Sequence, residues 1–329
     1  MPNTFPTQFS LGIILISAIA LGSLIGLNNG VLAEVLSGWT DYTVLILVFL
    51  LFFELRPSSW SFSKRDARFL IIAWAANFII IPTIGFIIAS LFLSGKSLFF
   101  IGLFIYFLAP CTDWFLGFTR LANGNTRLGT TLLPINLISQ LLLLPLYLSF
   151  LSRDIAPLGL TFVGETLWQW FIIPICAAFF LHQLLRVWLA SDRFERLLAT
   201  TGAIIPWVIS ALIVSIFAGH AETIAEHWNI FLVILVAVFV FFVTTYWIGE
   251  YLSRFFKLAY PEQALLTMTT AARNAPLMLG ITALIFPDQP LIAAALIIGM
   301  LVEFPHLTAL TYIMRRKQAS LDTAPSNHA

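Results

Sequence analysis

Pro110, Cys111, Thr112 and Asp113 set a thiol, a hydroxyl and a carboxyl side by side inside the apolar stretch LAPCTDWFLGF. A second stretch, TTAARNAP, places Arg273 and Asn274 just ahead of Pro276, and a third, GMLVEFP, places Glu303 ahead of Pro305. The chemistry these side chains offer is recognition and carriage. Cys111 is a soft ligand for a thiophilic solute, with a small buried hydrophobe as the plain alternative. Thr112, Asn136, Gln140 and Asn274 supply neutral donors and acceptors, either to a substrate or to backbone freed at a helix break. Arg273 is a permanent cation, and Asp113 and Glu303 are candidate proton carriers. Paired aspartates and a serine–histidine set are both missing from the spans, so an intramembrane enzyme is not expected. Cys111 and Cys176 lack CxxC or Cys/His spacing, so neither a disulfide framework nor a metal site is indicated, and no cofactor is implied. Cys176, in WFIIPICAAFF, reads as packing.

The elements that must position these groups are membrane helices. Of 329 residues, 60% are hydrophobic and 10% charged, and the mean hydropathy is +0.95. A soluble domain carries about 25% charged residues. The net charge of +1 gives no reason to expect nucleic acid as a partner. Apolar runs of about 20 residues recur, long enough to cross a bilayer as helices. Ten spans are predicted, at about 9–28, 38–55, 69–93, 97–121, 127–151, 166–189, 199–219, 229–252, 262–286 and 290–314. The first reads as a retained span, and the polar tail 318–329 as disordered. Domain organisation is then a single transmembrane unit over 1–317.

Charge placement supports the even count. Arg56, Lys64, Arg65, Arg68, Arg120, Arg127, Arg186, Arg193, Arg196, Arg254, Lys257, Arg315, Arg316 and Lys317 all fall on one side of a ten-span chain, and Lys96 and Arg153 on the other. The positive-inside rule then makes both termini cytoplasmic. Trp168, Trp170, Trp188, Trp228 and Tyr260 read as interfacial anchors, as do Glu54 and Glu250 beside basic loops.

Spans 4 and 9, each the fourth of a five-span half, are the interrupted ones. Five is odd, so the second half enters the membrane inverted: repeat one at about 9–151, repeat two at about 166–314. Inverted repeats with discontinuous helices in matching positions mark secondary transporters. Freed backbone is tolerable at membrane depth only when buried in protein or lining a wet cavity, so the two breaks are expected to cross and enclose a polar site. A mid-membrane charge costs at least about 2.5–3.5 kcal/mol. Asp113 and Arg273 are expected to pair there, as a structural ion pair or as one that also meets substrate or proton. Glu303, with no basic neighbour in sequence, is expected buried and unpaired; the alternative is a carboxyl hydrogen-bonded to span-9 backbone. The role of His306 stays open.

At APCT and LANGNTRLG around span 4, and at Val302-Glu303-Phe304-Pro305 in span 10, the chain resembles arsenite permeases of the arsenical-resistance-3 type, in the bile acid:sodium symporter superfamily. The resemblance runs the whole length. It implies a core of spans 3–5 and 8–10 moving against a panel of spans 1, 2, 6 and 7, and arsenite transport through Cys111 and Glu303. Two departures stand out. Asp113-Trp114 replaces small apolar residues, and Arg273 and Thr269 stand where the bile-acid branch has a glutamine and a glutamate serving sodium. A guanidinium repels sodium, so protons are the expected coupling ion. The expected function is proton-exchanging efflux of arsenite or a related metalloid across the plasma (inner) membrane, with Cys111, Thr112, Asn136, Asn274 and Arg273 at the substrate. The alternative is an organic-anion carrier in which Arg273 meets the anion.

Overall fold

The computed structural model describes residues 5–54, 66–112, 114–151 and 172–323, with positions 165 and 168 in between. The expectations for Asp113, Arg56, Lys64, Arg65, Arg153 and Trp170 lie outside the described residues. Those residues form helices α1 (Phe5–Asn28), α2 (Gly30–Ser37), α3 (Thr40–Glu54), α4 (Ala67–Leu93), α5 (Ser97–Leu108), α6 (Trp114–Leu121), α7 (Thr126–Leu151), α8 (Ile173–Trp188), α9 (Ser191–Gly219), α10 (Ala221–Ala225), α11 (Trp228–Phe255), α12 (Tyr260–Ala271), α13 (Ala275–Ile285) and α14 (Pro290–Thr323). Among them, five are long and apolar enough to cross a membrane, or six if α2 and α3, bent by 40°, count as one span. The protein is thus an all-helical, multi-pass membrane protein. Its outer surface fits that setting: Leu91, Leu142, Phe180, Val187 and Trp207 all project outward, and apolar side chains are what acyl chains require.

Two packing neighbourhoods recur. In one, α9 lies against α1, α2 and α3, and α8 against α3. Gly22 and Gly26 let α1 approach the backbone of α9 at Val214 and Ala218. In the other, α5 packs on α4 and α14, and α11 on α4, α12 and α14. Gly102 of α5 sits so close to the Ile292 carbonyl of α14 that a methyl group has no room. The two neighbourhoods meet where Gly280 of α13 lies against Val44 and Val48 of α3. Within α4 a π-helical stretch, Ala76–Ile80, interrupts the regular ladder, a feature that recurs at functional sites.

One end of the bundle is tied by polar contacts. Arg127 grips Asp66 with two hydrogen bonds, 2.8 and 2.7 Å. Arg68 donates to the Phe256 carbonyl at 2.7 Å, and Asn125 N–H to the Pro261 carbonyl at 2.8 Å. These contacts gather the ends of α4, α7, α11 and α12 on one side.

Four expectations change here. Tyr260 is a brace instead of an interfacial anchor: its hydroxyl meets the carbonyls of Ala122 and Met314 at 2.8 and 2.9 Å. Glu250 is 4% exposed and clamped by Lys317 and Gln263. Gln318–Thr323 is not a loose tail but the last turn and a half of α14, since nothing breaks the helix before Pro325 and the Asn123 amide holds Gln318 at 2.8 Å. Cys176 lies on the exposed face of α8, away from the core.

Candidate functional site

Local sequence makes both breaks. Pro110 biases its predecessor out of the helical region, and Ala109 is extended (φ −99°, ψ 115°). On the other strand Ala272 is extended (φ −74°, ψ 136°), and α13 restarts with Asn274 at its N-cap and Pro276 in its first turn, where the missing N–H costs nothing. The two extended segments lie antiparallel and pair Pro110 with Arg273. Cys111 N–H donates to the Ala272 carbonyl at 3.0 Å, and Asn274 N–H to the Ala109 carbonyl at 2.9 Å. Each break therefore satisfies backbone that the other leaves open.

The side chains around this bridge are buried. Arg273 is 0% exposed. Its guanidinium donates to the carbonyls of Phe107 (2.9 Å), Thr269 (3.1 Å) and Thr270 (2.6 Å), and the Phe241 ring lies 5.7 Å away. Among the described residues every hydrogen-bond acceptor of that guanidinium is a main-chain oxygen; whether Asp113 adds to them falls outside. Glu303 is also 0% exposed. Of the two expectations for it, the carboxyl hydrogen-bonded to span-9 backbone is the one found: Oε1 accepts from Arg273 N–H at 2.9 Å and from Trp114 Nε1 at 3.1 Å, and Oε2 from the Tyr106 hydroxyl at 3.3 Å. To that backbone donor the crossing adds an indole and a phenol from the two halves of the first broken helix, which no local reading of span 10 could supply.

Asn274 Nδ2 donates to Thr112 Oγ1 at 3.1 Å, joining the two breaks a second time. Asn136 joins a different group, donating to Thr269 Oγ1 at 3.3 Å beside Asn77, which reaches Thr269 Oγ1 at 3.0 Å and Asn136 Oδ1 at 3.4 Å. Cys111 is fully buried in the apolar cluster that also holds Phe115, Met268 and Phe304. Gln140 borders a cavity with room for about one water, walled by Ala109, Met278, Leu144 and Tyr147. His306 stacks on Phe242, ring centres 4.0 Å apart. The site thus brings Cys111, Thr112, Arg273, Asn274 and Glu303 onto one bridge and leaves Asn136 a helix away.

Three participants were missed in the sequence: Asn77, Tyr106 and Trp114. Asn77, the one amide in AANFIIIP, was a signal open to use. Tyr106 and Trp114 look like ordinary aromatic filling in their runs, and only the crossing reveals their polar ends as donors.

Among curated proteins no match is found. The profile of the family described as Sodium Bile acid symporter family matches residues 42–227, which takes in the first break and stops short of the second and of Glu303. That match covers more than half of the chain, and with it the protein belongs to the Sodium Bile acid symporter family and is a secondary transporter of the multi-pass type.

Proposed function

We propose that the protein exports arsenite, or a related small metalloid hydroxide, across the plasma membrane in exchange for protons. On this reading the helices form ten spans, α5–α6 and α12–α13 each counting as one broken span. Two inverted five-span repeats bring those broken spans face to face, with both termini in the cytoplasm. The core of spans 3–5 and 8–10 moves against the panel of spans 1, 2, 6 and 7.

One observation carries the proposal: the thiol-bearing break and the carboxyl are two sides of one short bridge. Cys111 N–H holds Ala272, and the next residue, Arg273, gives its own N–H to Glu303. Protonation of Glu303 removes negative charge from the acceptor of that N–H and weakens the bond. The strain passes to the bridge beside Cys111 and shifts the balance between inward- and outward-open states. Neutral As(OH)3 meets a soft thiol and the neutral Thr112–Asn274 pair, contacts weak enough for release.

A second reading, an organic-anion carrier, draws on the family's description. In it, Arg273 is the anion's partner. That guanidinium already gives Nη1 and Nη2 to three carbonyls, and among the described residues only its buried Nε is without a partner to offer an anion.

Uptake of radiolabelled arsenite into everted vesicles, with and without a pH gradient and with sodium varied, decides between them. Gradient-driven, sodium-indifferent uptake that Cys111→Ala abolishes, at unchanged protein level, is expected. Full uptake in that variant removes the thiol from the mechanism, and carboxylate counterflow without arsenite uptake favours the second reading.

A further inference from the structure

We propose that Gln140 builds a neutral seat behind the first break, which takes one small uncharged molecule able both to donate and to accept hydrogen bonds, in size and chemistry a water. Gln140 lies in the middle of α7, one turn past Asn136, and is 4% exposed. Among the described residues neither its Nε2 nor its Oε1 has a hydrogen-bond partner. A buried amide left dry pays its full desolvation penalty, and the large majority of buried polar groups are paired with protein or with ordered water. The amide borders a cavity with room for about one water. Phe78, Leu108, Leu144 and Met278 are among its walls, and Tyr147 brings a second polar side chain to it.

The Tyr147 hydroxyl has its proton committed. Pro82 has no N–H to give the Phe78 carbonyl four residues before it, and the Tyr147 hydroxyl donates to that carbonyl instead, at 2.7 Å. Its lone pairs remain to accept. A molecule in the cavity therefore meets a donor in Gln140 Nε2 and acceptors in Gln140 Oε1 and the Tyr147 oxygen, within the two to four partners that a buried water takes. The lining residues carry no charge, so a bare ion would lack a countercharge there, and a solute larger than water does not fit. They belong to α4, α5, α7, α13 and the extended Ala109. The proposal holds whatever the cargo and the coupling ion.

The test is a structure of the full chain at a resolution that shows ordered water, for the unmodified protein and for Gln140→Met, a side chain of similar length with no amide. A water oxygen about 2.7–3.2 Å from the Gln140 amide is expected in the first, and a dry cavity in the second, as in apolar cavities generally. An amide turned onto a protein group, no water beside it, or a water that persists in Gln140→Met overturns the proposal. Thermal unfolding gives an independent reading. Gln140 and Tyr147 stand seven residues apart on α7, about 10.5 Å along the helix, so their substitutions act independently unless a shared molecule links them. Tyr147→Phe is expected to unfold about 2–4 °C lower, Gln140→Met no higher than the unmodified protein, and the double variant is expected to lose less than the two shifts added. A Gln140→Met that unfolds higher marks a dry, orphaned amide, and additive shifts mean that nothing is shared; either overturns the proposal. Should a variant fail to fold, the structure of the unmodified protein decides.

Discussion

Glu250 and Glu303, two of the buried carboxylates among the described residues, are held in opposite ways. Glu250, near the basic end, is met by the Lys317 ammonium and the Gln263 amide, with Arg254 at 3.5 Å. Glu303, at the crossing, is met by a main-chain N–H, an indole and a phenol. The first arrangement is a side-chain clamp that fastens α11, α12 and α14 together. Lys317 is 26% exposed along its side chain, so water and salt share in the balance. In the second, the donors come from the two broken helices. Burial is nearly equal for the two, so the kind of donor, not depth, sets them apart.

The contrast can be broken by substitution. The largest effect is expected at Glu303→Ala. It removes the shared acceptor of three donors and leaves the Arg273 charge without its neighbour, costing about 3–5 kcal/mol and all transport; unfolding temperature together with vesicle uptake measures both. An active, stable Glu303→Ala would reduce this carboxyl to filler. Gly299→Ala comes next. Its new methyl carbon would sit 2.8 Å from the Tyr106 ring, at an overpacking cost of about 1–3 kcal/mol. Displacement of the Tyr106 hydroxyl from Glu303 should also cut uptake by more than the stability loss explains. Lys317→Ala should cost about 1–2 kcal/mol, discounted for the partial exposure of the lysine, and leave uptake per folded molecule unchanged. If it silences transport, the clamp is no mere fastening. Thr112→Val removes the 3.1 Å bond to Asn274 and should cost about 1 kcal/mol. Its informative readout is substrate affinity, which falls if the pair meets the cargo. Arg127→Ala comes last, with a small loss of stability and unchanged uptake, since half of that side chain is in solvent although its partner Asp66 is buried.

Much of this architecture is written in local signals. Pro110 and Pro276 mark both breaks because proline acts on its immediate neighbours. The grouping of Arg68, Arg127, Arg254 and Lys317 at one end follows from alternation along the chain. What stayed hidden depends on distant partners. Glu303 reads as unpaired because its donors come from 30, 189 and 197 residues away. Glu250 and Tyr260 read as surface anchors because their positions near span ends say nothing of Lys317 or Met314 across the bundle. Arg273 invites a carboxylate partner on charge alone, while its acceptors among the described residues are main-chain carbonyls, which every residue has and no sequence pattern advertises. The π-helical stretch beside Asn77 is equally silent, since it is a slip in hydrogen-bond register and not a residue type.

The length of α14 has a use of its own. Its 34 residues make a rod about 51 Å long at 1.5 Å per residue, while the hydrocarbon slab is about 30 Å thick. The surplus emerges beyond Glu303 as a stiff pointer. A tilt of 10° about Glu303 would sweep a spin label or fluorophore at Ser320 through about 4 Å, so rocking of the buried bridge could be watched from the aqueous side, by a probe that touches nothing in it.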